Sequence, residues 1–125
     1  MKLKIVELPG IKTDNINFNR IIMIIQLSGI VDMDRSDDLL ILLTCLISGG
    51  LKKIIFDMTG VDFIDSYGIG TLIDITKLIR KNKDGDAVLT NVPDRIHIIF
   101  KPINLQKFIK IFSTNDDALH YFRYV

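Results

Sequence analysis

The stretch "IIFDMTGVDFIDSYGIGTLIDI", residues 54–75, decides how this chain folds. An aliphatic run rich in β-branched residues reaches an acid at Asp57, and Asp65-Ser66 stands before a new apolar pattern. A short continuous apolar run is the mark of a strand covered on both faces, so residues 52–58 read as buried strand. Beyond it, Ile69, Leu72, Ile73, Thr76 and Ile79 share one face of a helix expected over about 68 to 81. "MTGVDFI" then becomes the connecting loop. Ser66 is well typed to cap the helix, because its oxygen can accept from an amide two or three residues later. Gly68 and Gly70 keep the surface around that hydroxyl small, open to close approach.

The same grammar extends in both directions. Residues 3–8 alternate loosely as a first strand ended by Pro9-Gly10, and the polar stretch at 9–20 is a loop longer than a turn requires. "IIMIIQL" at 21–27 is a second buried strand, ended by Gly29. Asp34 or Ser36 can cap a helix running to about 48, where Gly49-Gly50 stops it. Its residues Leu39, Leu40, Ile41, Leu42, Leu43, Leu46 and Ile47 make a wide apolar face, expected to be packed core. After the turn "KNKDGD", residues 87–92 read as strand. Pro93 suits the first position of a short helix to about 100. Residues 105–112 read as the last strand, and Ser113 or Thr114 caps a final helix. Two strands followed by alternating helices and strands give an α/β fold: a mixed, mostly parallel sheet of four to five strands with about four helices, the first strand antiparallel.

Composition narrows the function. The 125 residues fit a single domain, 1–125, with ordinary apolar content. A net charge of +1 gives no electrostatic footprint for nucleic acid. The longest apolar run, at 39–47, is too short to span a bilayer, and the N-terminus lacks the pattern of a signal peptide. The expectation is therefore a cytoplasmic protein without membrane insertion. Cys45 lies alone in an apolar run and reads as a core thiol. His97 and His120 are far in sequence from Ser66 and read as surface or half-buried residues. No nucleophile elbow, phosphate loop or metal-ligand spacing is present, so no enzyme activity, cofactor or metal is expected. Asp57, Asp62 and Asp65 are the acids that could approach a divalent ion, yet acids near a helix start more often serve the dipole.

In a parallel sheet, functional groups gather where strand carboxyl ends meet helix N-termini, and residues 57–70 form such a junction. A phosphate on Ser66 would be accommodated there, since helix N-termini favour anions. The added charge would leave the helix formed and repel an acidic or apolar partner beside Asp65 and Asp62.

These residues resemble the STAS domain, the family of bacterial anti-sigma factor antagonists and of related domains on sulphate transporters. The likeness rests on an aliphatic strand ending in Asp57, then Asp65-Ser66 with Gly68-Ile69-Gly70 opening a helix. Gly29 and Asp32 in "LSGIVDMD" match an earlier element, and the closing helix–strand–helix pattern also follows. It extends over nearly the whole chain from residue 21. The resemblance implies partner switching. An unmodified antagonist binds an anti-sigma factor that is also an ATP-using serine kinase; phosphorylation ends the binding, and a protein phosphatase restores it. By position it implies Ser66 as phosphoacceptor, with Asp32, Asp62, Asp65, Tyr67, Gly68 and Ile69 around it at the partner face. Tyr67 departs from the small residue usual there, and its ring could either crowd the acceptor or supply a contact.

Two alternatives stay open on sequence. A non-switching scaffold of the same fold, such as a stressosome-like component or an accessory subunit of a lipid transporter, would bind partners without using Ser66. A homodimer through the wide helix face is compatible with either reading. An aspartyl-phosphate receiver would use Asp57 with Thr90 and Lys110, but no adjacent acid pair follows the first parallel strand to hold its magnesium.

Overall fold

A computed structural model describes residues 2–7 and 21–123. Five strands form one sheet in the order β1-β2-β3-β4-β5: Lys2–Glu7, Ile21–Val31, Lys53–Ile64, Asp86–Thr90 and Lys110–Phe112. β1 pairs antiparallel with β2, and the remaining pairs are parallel. Helices α1 (Met33–Ser48), α2 (Ser66–Ile79) and α3 (Asp94–Phe100) make the crossovers, and α4 (Asn115–Arg123) closes the described chain. The α/β class, the antiparallel first strand and the four helices agree with the sequence reading. The loop at 9–20 lies outside the described residues.

Strand alternation divides the apolar residues between two layers. Ile21, Met23, Ile25 and Leu27 of β2 face the larger core with Ile54, Phe56 and Met58 of β3, under Leu39, Leu43, Leu72 and Ile75 of the helices. Ile22, Ile24, Ile55 and Val88 point the other way, where Ala118 and Phe122 of α4 cover them. Because both faces are covered, these strands read as unbroken apolar runs. At the amino end of β4, buried Asp86 accepts from Arg80 Nε at 2.9 Å and from the Tyr121 hydroxyl at 2.8 Å, with Lys110 Nζ at 3.5 Å. This ties α4 to the sheet.

Several boundaries differ from the sequence reading, each for a local reason. β2 does not stop at Gly29. That residue takes a left-handed conformation (φ +70°) inside the strand, and the β2–β3 register shifts there and near Gln26. β3 likewise continues through "TGVDFI" to Ile64, because the shift lets it follow β2 outward. Gly60 permits the approach, since a Cβ there would sit 3.1 Å from that of Ser28. α1 is capped by Asp32, not by Asp34 or Ser36; its carboxylate accepts from Arg35 N at 3.2 Å. Pro93 is the cap of α3 and not its first residue. Residues 105–112 divide into a 3-10 turn (Leu105–Lys107) and the three-residue β5. Thr114 Oγ1 accepts from Asp117 N, which settles the cap at the start of α4 in its favour.

The broad apolar face of α1 is only partly core. Leu39, Leu43 and Ile47 are buried, Leu40 and Leu46 pack at the margin, and Ile41 stands largely in solvent. Cys45 is exposed as well, since it falls off the buried stripe. It is not a core thiol.

Candidate functional site at the carboxyl rim of β2 and β3

β2 and β3 overrun the other strands and end side by side, with Val31 paired to Ile64. One residue separates each from its helix: Asp32 before α1 and Asp65 before α2. Both turn a carboxylate back onto the helix they open. Asp65 Oδ1 accepts from Gly68 N at 2.8 Å, so Asp65 is the cap and Ser66 is the first helical residue. The sequence reading gave that capping task to Ser66. Relieved of it, Ser66 stands exposed on the helix end.

Not all residues expected on the partner face are there. Gly68 and Ile69 are buried. A Cβ on Gly68 would fall 2.7 Å from the Val31 carbonyl oxygen and 2.8 Å from Ile64 Cγ1, so this glycine lets α2 sit down on the strand ends. Nothing lies within 4 Å of the corresponding position on Gly70. Only Gly70, of the two, leaves open space.

Tyr67 neither crowds Ser66 nor hangs free. Its hydroxyl donates to Asp37 Oδ1 of α1 at 2.7 Å, which lays the ring across the gap between α1 and α2. That bond, and then the charge of Asp37, raise the Tyr67 pKa. Asp37→Asn should therefore lower the pH at which Tyr67 ionises. Ultraviolet titration of that variant, with Tyr67→Phe as the subtraction control, reads the shift; an unmoved titration would refute the bond.

Around these residues lies a surface that motif reading did not find. Ile30 and Phe63 are neighbours across the strand pair, and with Met33 and Tyr67 each is about half exposed. Asp32, Asp34, Asp37, Asp38, Asp62 and Asp65 supply acid around them. The two nearby arginines are already engaged: Arg35 donates to the Ser28 carbonyl at 2.7 Å. Arg95 donates to the Val61 carbonyl at 2.7 Å and lies 3.4 Å from Asp62. The rim therefore combines an apolar centre with an acidic border, although the chain as a whole is near neutral. The signal in sequence was the apolar residues Ile30, Val31, Val61, Phe63 and Ile64 continuing past Gly29 and Gly60, masked by the glycines.

Asp57 lies deeper, on the α4 side of β3. Oδ1 accepts from Thr59 N at 3.0 Å, Thr59 Oγ1 at 2.6 Å and Asn91 Nδ2 at 3.2 Å; Oδ2 accepts from Asn115 Nδ2 at 3.0 Å. Burial raises the Asp57 carboxyl, but these hydrogen bonds outweigh it and hold the pKa below the ordinary value. Asn115 also accepts from Thr90. The group is a brace joining β3, the end of β4 and the start of α4.

This geometry overturns the receiver reading. Asp57 is sealed by neutral donors, Thr90 is committed to Asn115, and Lys110 pairs with Asp86. Asp57, Asp62 and Asp65 engage three different partners. No group of three metal-ligating side chains occurs among the described residues. Nor is any described helix long and apolar enough to cross a membrane. His97 and His120 are exposed and distant in the fold order from Ser66.

A sheet of this order with a serine at the α2 start defines a class, and the sequence comparison agrees. The chain belongs to the STAS domain family, matched over residues 12–118. A Thermotoga neapolitana homologue of TM1081, provisionally named an anti-sigma factor antagonist, is 29% identical over 70 residues. That segment is 56% of this chain and 61% of the relative, so it spans less than two thirds of that protein. TM1081 of Thermotoga maritima, solved by NMR, superposes with a TM-score of 0.75 at 20% identity, covering 83% of each chain. The Bacillus anti-sigma factor antagonist SpoIIAA superposes in its unphosphorylated form with a TM-score of 0.71 at 19% identity, covering 82% of this chain and 89% of that one. Its phosphorylated form gives 0.62 at 20%, covering 79% and 88%. At these identities the structural likenesses define the fold.

Proposed function

We propose that this chain is an anti-sigma factor antagonist that acts by binding, as one module, and is switched by phosphorylation of Ser66. The observation that carries the reading is the exposed Ser66 hydroxyl on a helix end whose capping is done by Asp65. The partner is a protein face with an apolar centre and basic border, complementary to Ile30, Met33, Phe63 and Tyr67 within their acidic rim. It is an anti-sigma factor that is also a serine kinase. The kinase moves the terminal phosphoryl group of ATP to Ser66 Oγ; the hydroxyl proton leaves and ADP is released. A phosphatase hydrolyses the phosphoserine and restores binding. SpoIIAA, known in both phosphorylated and unphosphorylated forms, supports the reading by analogy of fold.

The test is to capture the kinase with the natively purified protein, add ATP and map the modification by mass spectrometry. Phosphate on Ser66 is expected. A stable complex that never phosphorylates Ser66, with no phosphate in native protein, would instead favour a non-switching scaffold.

A further inference from the structure

A cavity of about 330 Å³ opens where the end of α3 meets the 3-10 turn and β5. β5 lies at the opposite edge of the sheet from β1, two strands beyond β3, whereas Ser66 follows β3. The volume falls within the lower range of small-molecule sites. Its floor is apolar: Phe100 and Leu105 are buried and Ile111 is half-buried. Its mouth carries His97 and Lys101, four residues apart and so on one face of the helix end. Asn104 and Gln106 supply the amides, and no acid lines it.

Three backbone acceptors at this mouth are engaged within the chain. The His97 carbonyl accepts from Lys101 N at 2.9 Å, the Lys101 carbonyl from Asn104 N at 3.2 Å, and the Asn104 carbonyl from Lys107 N at 3.0 Å. The polar side chains lining the opening are those of Lys101, His97, Asn104 and Gln106, above an apolar base. We propose that this cavity binds a small amphipathic anion, an aromatic or short aliphatic body carrying one phosphate or carboxylate group. The body rests on Phe100, Leu105 and Ile111, and the head meets Lys101 and His97 with the side-chain amides of Asn104 and Gln106. Neither the Ser66 site nor its proposed partner is involved.

The test is an NMR titration of the full ¹⁵N-labelled chain with phenyl phosphate, benzoate and inorganic phosphate. For a ligand of this size, saturable shifts confined to residues 97–106 and 111 are expected with a Kd of about 1 mM. Phenyl phosphate or benzoate alone would identify the head group preferred. Lys101→Glu, at an exposed position, should weaken binding about tenfold, the scale of one lost charge-assisted contact. It should lower the melting temperature only slightly, as an acid at the C-cap of α3 is mildly unfavourable. Absence of saturable shifts, equal response to inorganic phosphate, or unchanged affinity in Lys101→Glu would each overturn the assignment.

Discussion

Replacing Asp57 with alanine should lower the unfolding free energy by about 2 kcal/mol, because half-buried Asn91 and Asn115 and the more exposed Thr59 would lose the one carboxylate they share. The donors are named: Thr59 through amide and hydroxyl, Asn91 and Asn115 through side-chain amides. They come from three segments, so the loss would loosen the β4 end and the start of α4 together. Asp57→Asn keeps the shape but turns an NH₂ toward donors, and should cost about half as much. Urea unfolding measures both; a loss under about 1 kcal/mol for Asp57→Ala would show the brace to be ornamental. The pH dependence has a definite sign. A carboxyl held below its unfolded pKa stabilises the fold above that value. The stabilisation should be lost as pH falls through the folded value, below about pH 4. The Asp57→Asn protein should lack that part of the acid transition.

Ser66→Asp should weaken binding to the proposed anti-sigma partner about 100-fold, while Ser66→Ala should bind constitutively. The acid would join a rim that already holds Asp32, Asp62 and Asp65, beside the apolar centre to which the proposed partner is assigned. Thermal stability should hold or rise slightly, since the first turn of α2 favours negative charge. Loss of binding without loss of folding separates an interface effect from a structural one. Raising the salt concentration should restore part of the affinity of Ser66→Asp, because the rim is exposed to screening. Isothermal titration or surface resonance reads all three results. Equal affinity for the two variants would end the switch account.

The sequence carried the class of the fold and the junction at which Ser66 opens α2, because both depend on local pattern. Apolar runs at 21–27 and 52–58, turn glycines at 49–50 and helical spacing at 69–79 each specify one element without help from the rest. The misreadings at the β2–β3 rim share a cause. Gly29 and Gly60 look like strand ends, but two strands that shift register together can pass through both. Once the strands are lengthened, Asp32 and Asp65 necessarily become caps, and the serine beside Asp65 becomes a first helical residue. Long-range contacts were beyond local pattern altogether. The Tyr67–Asp37 bond joins residues 30 apart, and the Asn115–Asp57 bond joins residues 58 apart. Nothing in the spacing of "DSYG" or "STND" announces either.

A single aspartate joins each long strand to its helix, and this leaves the rim no slack to rearrange. A visitor meets a finished stamp, so little ordering entropy is spent at docking and the free and bound backbones should superpose closely. Differences in lifetime among cognate and foreign complexes should then reside in departure rates, set by how well the visitor's hollows fit the four raised side chains.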